Sequence, residues 1–305
     1  MKFAERFEKR FREILKEDFE KLIKCLNFYP KICVRVNTLK ISRNELKEIF
    51  KEYGIKIEKV PWYKNAFFVN EPKIGKLLEH MLGYYYVQDG SSLVPVKVLD
   101  VKEGEKVLDL CAAPGSKTTQ IAMEMKNTGS IIANDIDLKR VKALRFNLQR
   151  CGVTNTLVTI KDGKKFWKLG LKFDKILVDV PCSATGKIFG KEGLYVIKNW
   201  KEWQVKKLSK LQLKLLESAV KCLNENGKIV YSTCSLDVFE NEFVVNRIAE
   251  KYGLKICKIK VKGLKYKKGF KSFGKFEFLK SMKNAIRIYP WQNGTEGFFI
   301  CKLSF

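Results

Sequence analysis

The 305 residues contain one histidine, His80, and none of the nine cysteines forms a Cys-x-x-Cys pair. A lone imidazole argues against a histidine-dependent catalytic triad and most histidine-built metal sites. The cysteine spacing matches no zinc or iron–sulfur motif, so no metal is expected. Acid is also scarce, with 33 Asp and Glu against 60 Lys and Arg, a formal charge of +27. That imbalance points to a polyanionic partner, above all nucleic acid, rather than a small acidic metabolite. No apolar run is long enough to cross a bilayer and no signal-peptide pattern opens the chain, so no membrane role is expected. The scattered thiols then suit a reducing cytoplasm.

What is present supports a full core. Hydrophobic residues make up 46% of the chain, and its length leaves room for two domains. Apolar residues at helical spacing from Phe7 to Leu26 predict a helix over 3–26, ended by Pro30. Cys33 to Asn37 alternates like a strand. Ser42 and Glu45 form a capping box for a helix to about Tyr53, closed by Gly54. A strand over 55–60 and a short helix over 73–82 complete a small α+β unit, residues 1–90, in which acids largely offset bases. From 105 onward strands at 106–110, 130–134, 156–160, 174–180 and 227–233 alternate with helices at 117–126, 137–150, 201–223 and 238–252. That pattern predicts a doubly wound, mostly parallel sheet in a second domain, 91–305, closed by an antiparallel hairpin over 285–289 and 297–303. Residues 251–283 hold twelve lysines and one Glu, interleaved with Tyr252, Tyr266, Phe270, Phe273, Phe276 and Phe278. This mixture suits phosphate contact with base stacking; a solvated loop anchored by its rings is the plainer alternative.

The stretch Val107-Leu-Asp-Leu-Cys-Ala-Ala-Pro-Gly-Ser-Lys-Thr118 reads as a buried strand, a turn of small residues and the start of a helix. Such a junction is where α/β sheets bind nucleotide-like ligands, because the backbone can approach closely and the helix start offers free N–H groups. It is neither a Walker sequence nor a three-glycine dinucleotide turn, which makes a nicotinamide oxidoreductase the weakest reading. Asp135, after the second strand, could accept both hydroxyls of a ribose, and Asp162, after the third, could meet an adenine amino group. The fourth strand delivers Asp179-Val-Pro-Cys-Ser-Ala-Thr-Gly186 and the fifth Tyr231-Ser-Thr-Cys-Ser235, so Cys182 and Cys234 reach the same carboxyl edge. Single cysteines at such places are commonly structural; two beside an Asp-x-Pro are not so easily explained.

Together these three segments, with Gly294-Thr-Glu-Gly-Phe-Phe299, strongly resemble the NOL1/NOP2/Sun family of RNA cytosine-C5 methyltransferases. The resemblance covers about 85–305 and is less specific for the N-terminal unit. Ser116 stands where many members have glycine, and Trp291 follows Pro290 where many have histidine. The resemblance implies a Rossmann-like methyltransferase sheet using S-adenosylmethionine, preceded by a small RNA-binding α+β domain. It also implies roles: Cys111, Ala112, Ala113, Pro114, Gly115, Ser116 and Lys117 hold the methionine part, Asp135 the ribose and Asp162 the adenine, with Arg140 close to the cofactor. Asp179 lies near both methyl donor and base, Cys234 is the nucleophile, and Cys182 serves product release. Cytosine C5 is too weak a nucleophile alone; thiolate addition at C6 makes it enamine-like. A cationic surrounding for Cys234 is expected, and a protonated Asp179 could donate to N3 of the base. The base that removes the C5 proton stays open between Cys182 and water.

The short chain resembles archaeal-type tRNA enzymes, so tRNA is the expected substrate and ribosomal RNA the alternative. A catalytically silent, cofactor-binding RNA assembly factor is a third reading, opposed by the retention of both thiols. A monomer is expected, with a further protein partner left open.

Overall fold

Helix α1 (Glu5–Leu15) is amphipathic, burying Phe7, Phe11, Ile14 and Leu15. The computed structural model describes residues 5–305, so the first two residues of the predicted 3–26 helix lie outside the described residues. That helix is also not continuous. Lys16 takes a left-handed φ of 53°, a single turn of 3₁₀ follows, and α2 (Phe19–Lys24) comes after it. Both helices pack on Ile188, Trp200, Leu236 and Tyr289, which belong to the body carrying Cys182 and Cys234.

Four antiparallel strands follow: β1 (Ile32–Val36), β2 (Ile57–Lys59), β3 (Ala66–Val69) and β4 (Tyr85–Val87), in the order β2-β3-β1-β4. Helix α3 (Arg43–Glu52) carries the expected capping box between Ser42 and Glu45. Strand β3 escaped the sequence reading because all four of its residues are buried, leaving no alternation to see. A helical turn, α4 (Leu78–Met81), leads into β4.

Past α5 (Val94–Leu99) the chain alternates β5 (Lys106–Asp109), α6 (Ser116–Glu124), β6 (Ser130–Asn134), α7 (Leu138–Arg150), β7 (Thr156–Thr159) and β8 (Phe173–Asp179). Helices α8 (Gly190–Asn199) and α9 (Glu202–Lys221) precede β9 (Leu223–Thr233), and α10 (Glu242–Tyr252) follows it. Short strands β10 (Lys255–Cys257), β11 (Lys267–Lys268), β12 (Ser272–Phe273) and β13 (Phe276–Glu277) lead to β14 (Ile286–Ile288), the turn α11 (Pro290–Asn293) and β15 (Phe298–Ser304). The large sheet runs β11-β14-β15-β9-β8-β5-β6-β7, with β10 also on β15. Strands β5 to β9 are mutually parallel; β15 lies antiparallel to both β9 and β14, forming the expected closing hairpin. The five parallel strands of the sequence reading are all present. Helix α8 was not foreseen. Two apolar layers, one around Val107, Ile121 and Ile300 and one around Ile176, Leu216 and Phe299, sandwich the sheet.

Strand order reverses between β5 and β8, and the crevice at their carboxyl ends is where such sheets take ligands. No helix among the described residues is long and apolar enough to cross a membrane.

Candidate active site

A cavity of about 450 Å³ opens at this reversal, lined on one side by Cys111–Pro114, Ser116, Lys117 and Arg140. On the other side stand Asp179, Cys182 and Cys234, delivered by the ends of β8 and β9. The two expected thiols face each other, with Sγ atoms 3.2 Å apart. Hydrogen bonding to Cys234, with burial behind it, pushes the Cys182 thiol well above the ordinary cysteine range. The two sulfurs thus form one hydrogen-bonded pair in the cavity wall.

Backbone pairing fixes this geometry. Gly186 N–H donates to the Cys234 carbonyl at 2.8 Å, and Gly297 N–H donates to the Gly186 carbonyl at 2.8 Å. A Cβ on Gly186 would sit 2.2 Å from the Gly297 carbonyl oxygen, so only glycine allows three chain segments to meet here. Beneath the pair lies Glu240, fully buried, which accepts from Ser183 N–H at 2.9 Å, Ser235 Oγ at 2.6 Å and Gln212 Nε2 at 3.0 Å, and also from Ser183 Oγ. Ser183 and Ser235 immediately follow the two cysteines, so one carboxylate sets the height of both. Glu240→Ala strips the acceptor from several buried donors and is expected to cost about 2–4 kcal/mol, read as a lowered unfolding midpoint together with lost turnover. An unchanged midpoint would contradict that role.

Asp179 makes an ion pair with Lys117 (2.8 Å) and accepts from Ser232 Oγ at 2.6 Å. The Lys117 ammonium is thereby held at the cavity beside Asp179. Lys117 also donates to Ser92 Oγ at 2.9 Å and lies over the Phe298 ring. The cation expected near Cys234 is Lys187, 3.2 Å from Glu296. Burial opposes its charge, but Glu296 and then Cys234 hold the Lys187 ammonium above the usual lysine range.

The remaining expected residues divide. Gly115, with φ of 105°, begins α6 and shapes the turn from behind. Burial, reinforced by Asp109 and Asp135, pushes the Cys111 thiol well up and leaves it inert. Arg140 lines the cavity and hydrogen-bonds the Ala113 carbonyl. Asp135 is buried and turned onto the loop, accepting from Ala113 N–H at 3.2 Å and Asp137 N–H at 3.0 Å, with Arg140 3.4 Å away. Asp162 caps the following 3₁₀ turn through Lys164 N–H. Neither of these two carboxylates is among the residues lining the cavity.

Besides Glu240, Lys187 and Glu296, two further contributors were missed. Arg35, buried in β1, donates to the Ser116 carbonyl at 2.6 Å, to Thr119 Oγ1 at 2.7 Å and to Gln88, so the N-terminal sheet grips the start of α6. Asp109 is fully buried, binds Thr118 Oγ1 at 2.7 Å through one oxygen, and leaves the other without a partner at the cavity. An acid interrupting an apolar strand was the available signal for it. Burial pushes its carboxyl up to about 7.

An orphaned carboxyl oxygen on Asp109, the cationic groups of Lys117 and Arg140, and a helix start behind small residues fit a ligand carrying both an ammonium and a carboxylate. S-adenosylmethionine is such a ligand, and when bound it supplies the methyl group. Asp109 would hold its ammonium. Because the raised pKa favours the neutral carboxyl, stability from this group is fully present below pH 4 or so and is lost as pH rises through about 7 in the free protein. Cofactor affinity should run the opposite way, weakening by up to roughly tenfold per pH unit below 7 as the carboxyl protonates. Titration calorimetry across that range checks this, and Asp109→Asn should flatten the dependence.

Sheet order and the switch-point cavity, with two thiols paired in its wall, define the class, an S-adenosylmethionine-dependent methyltransferase. Family models described as 16S rRNA methyltransferase RsmB/F and the N-terminal domain of 16S rRNA methyltransferase RsmF match residues 96–304 and 3–90. The chain belongs to this family, the NOL1/NOP2/Sun RNA cytosine-C5 methyltransferases. It is 37% identical to the tRNA (cytosine(49)-C(5))-methyltransferase of Pyrococcus abyssi over 99% of both chains. It is 39% identical to ribosomal RNA small subunit methyltransferase F of Aliivibrio fischeri over 88% of its own length, but spans only 57% of that protein. The crystal structure of a methyltransferase homolog from Pyrococcus horikoshii superposes with a TM-score of 0.88 at 34% identity, covering 99% of this chain and 95% of the other.

Proposed function

We propose that this chain methylates C5 of cytosine in tRNA through a covalent bond between Cys234 and C6. The observation that carries the chemistry is the Cys182–Cys234 pair, 3.2 Å apart beside the Asp179–Lys117 ion pair. Cys234 adds to C6 while Lys117 and Asp179 orient the ring and neutralise charge developing on it; C5 then becomes nucleophilic enough to take the methyl group. A water molecule takes the C5 proton, the C5–H electrons form the C5=C6 double bond, and the C6–S bond breaks to release the Cys234 thiolate. Cys182, still carrying its proton, hydrogen-bonds the leaving sulfur. Asp135 and Asp162 follow β6 and β7 along the same sheet edge as Cys111, an order that suits ribose and adenine lying across neighbouring strand ends.

The choice of tRNA rests on the Pyrococcus abyssi relative, matched end to end. Ribosomal RNA is the second reading, supported by the bacterial relative's name. Methyl incorporation into unmodified tRNA transcripts and into small-subunit rRNA fragments, compared under identical conditions, decides between them. A silent assembly factor would label neither. Lysines of 251–283 supply phosphate contacts in this reading, the protein acts as a monomer, and its expected compartment is the cytoplasm.

The rings of 251–283 do not supply the stacking half of that role. Phe270, Phe273 and Phe278 pack on the α1–α2 core, and Phe276 packs edge-on against Phe239 and Phe243. Tyr252 and Tyr266 pack against the two layers on the sheet. The plainer reading holds for the aromatics: they anchor a lysine-rich strap.

A further inference from the structure

If bases stack anywhere on this protein, rings must be exposed near the thiols. Two are. Tyr195 on α8 is 70% exposed and Trp203 on α9 is 58% exposed, and both line a second cavity of about 840 Å³. Cys182 lines this cavity as well as the catalytic one, so the two are adjoining spaces separated by the thiol loop.

The charge pattern matches. Trp203, Lys207, Lys210 and Lys214 follow one another at intervals of four, three and four residues, which places them on one face of α9. The stripe extends about 16 Å along the helix. All three lysines are exposed, and none has a carboxylate partner among the described residues. No acidic residue is among those lining the cavity. The opposite face of α9 buries Val205, Gln212, Leu215 and Leu216, so the helix is firmly seated and its outer face is presented rigidly. A solvated helix face accounts for lysines, but a large indole and a phenol left open beside the catalytic loop cost hydrophobic exposure that the fold gains nothing from.

We propose that the α8–α9 groove is the path of the single-stranded RNA flanking the target cytosine, with bases stacked on Trp203 and Tyr195 and phosphates following Lys207, Lys210 and Lys214. The proposal rests on the RNA methyltransferase reading and assigns it a substrate subsite. A flipped target base in the catalytic cavity requires its neighbours to leave the helix too, and stacking rings give them a seat. Because every base has a π-face, this subsite holds the strand without reading its sequence; selection falls to other contacts.

The test uses the whole protein with a tRNA transcript that the wild type methylates, and a short single-stranded oligoribonucleotide of the same region carrying 2-aminopurine next to the target cytosine. Trp203→Ala should raise KM for RNA about tenfold with kcat nearly kept, and Trp203→Phe should restore most of the loss. The 2-aminopurine fluorescence quenched by the wild type should recover in Trp203→Ala. The triple variant Lys207→Gln, Lys210→Gln, Lys214→Gln should lower the slope of log Kd against log salt by about two. Cofactor binding should be unchanged in all of them, showing intact folding. Unaltered KM, quenching and salt slope in variants that bind cofactor normally would overturn the proposal. Absence of methylation by the wild type on any RNA would instead overturn the functional reading beneath it.

Discussion

Cys234→Ala is expected to abolish methyl transfer to RNA, with a loss on the order of a thousandfold or more, while leaving cofactor binding intact. The expectation follows from which sulfur can be a thiolate. The hydrogen bond with Cys234, and then burial, push the Cys182 thiol well above the ordinary cysteine range, which disfavours its thiolate. Cys234 is the other member of that hydrogen bond and has the Lys187 ammonium in its field. Single-turnover transfer of labelled methyl from S-adenosylmethionine measures the effect. Calorimetry with cofactor alone separates it from misfolding, since Cys234 lies across the cavity from Cys111–Lys117. Near-normal turnover in the variant would move the nucleophile elsewhere, and the neighbouring Cys182 would be the first place to look.

The second large effect concerns release. In Cys182→Ala the attacking sulfur is untouched, so addition and methylation proceed, but the leaving thiolate has lost its donor at 3.2 Å. A protein–RNA adduct that survives denaturing electrophoresis should accumulate, and multiple turnover should fall by roughly a hundredfold. The adduct should require both RNA and cofactor, and Cys182→Ala combined with Cys234→Ala should eliminate it. A Cys182→Ala protein that cycles freely without adduct would remove Cys182 from the release step.

Much of this site could be read from the sequence because its chemistry is local. The turn Cys111–Lys117 and the two strand ends carrying Cys182 and Cys234 are contiguous motifs, and parallel-sheet topology alone brings them to one edge. What could not be read depends on contacts between segments far apart in the chain. Glu240 sits beneath both thiols only because the short turn before α10 folds back under β9. Gly186 meets Gly297 across more than a hundred residues. Arg35 looks like an ordinary strand residue until β1 is laid against α6. The rings of 251–283 misled for the converse reason: composition resembles a stacking surface whether the aromatics face outward or, as here, inward. The stripe on α9 went unremarked in the sequence, because only its exposure next to Cys182 gives it meaning.

The central claim is best tested by the fate of individual cytosines. Unmodified tRNA transcripts are incubated with the protein and S-adenosylmethionine, then sequenced after bisulfite conversion. Protection of defined cytosines by the wild type, and of none by Cys234→Ala, is the predicted result. Methyl label entering RNA while every cytosine still converts, or protection that persists in Cys234→Ala, would contradict it.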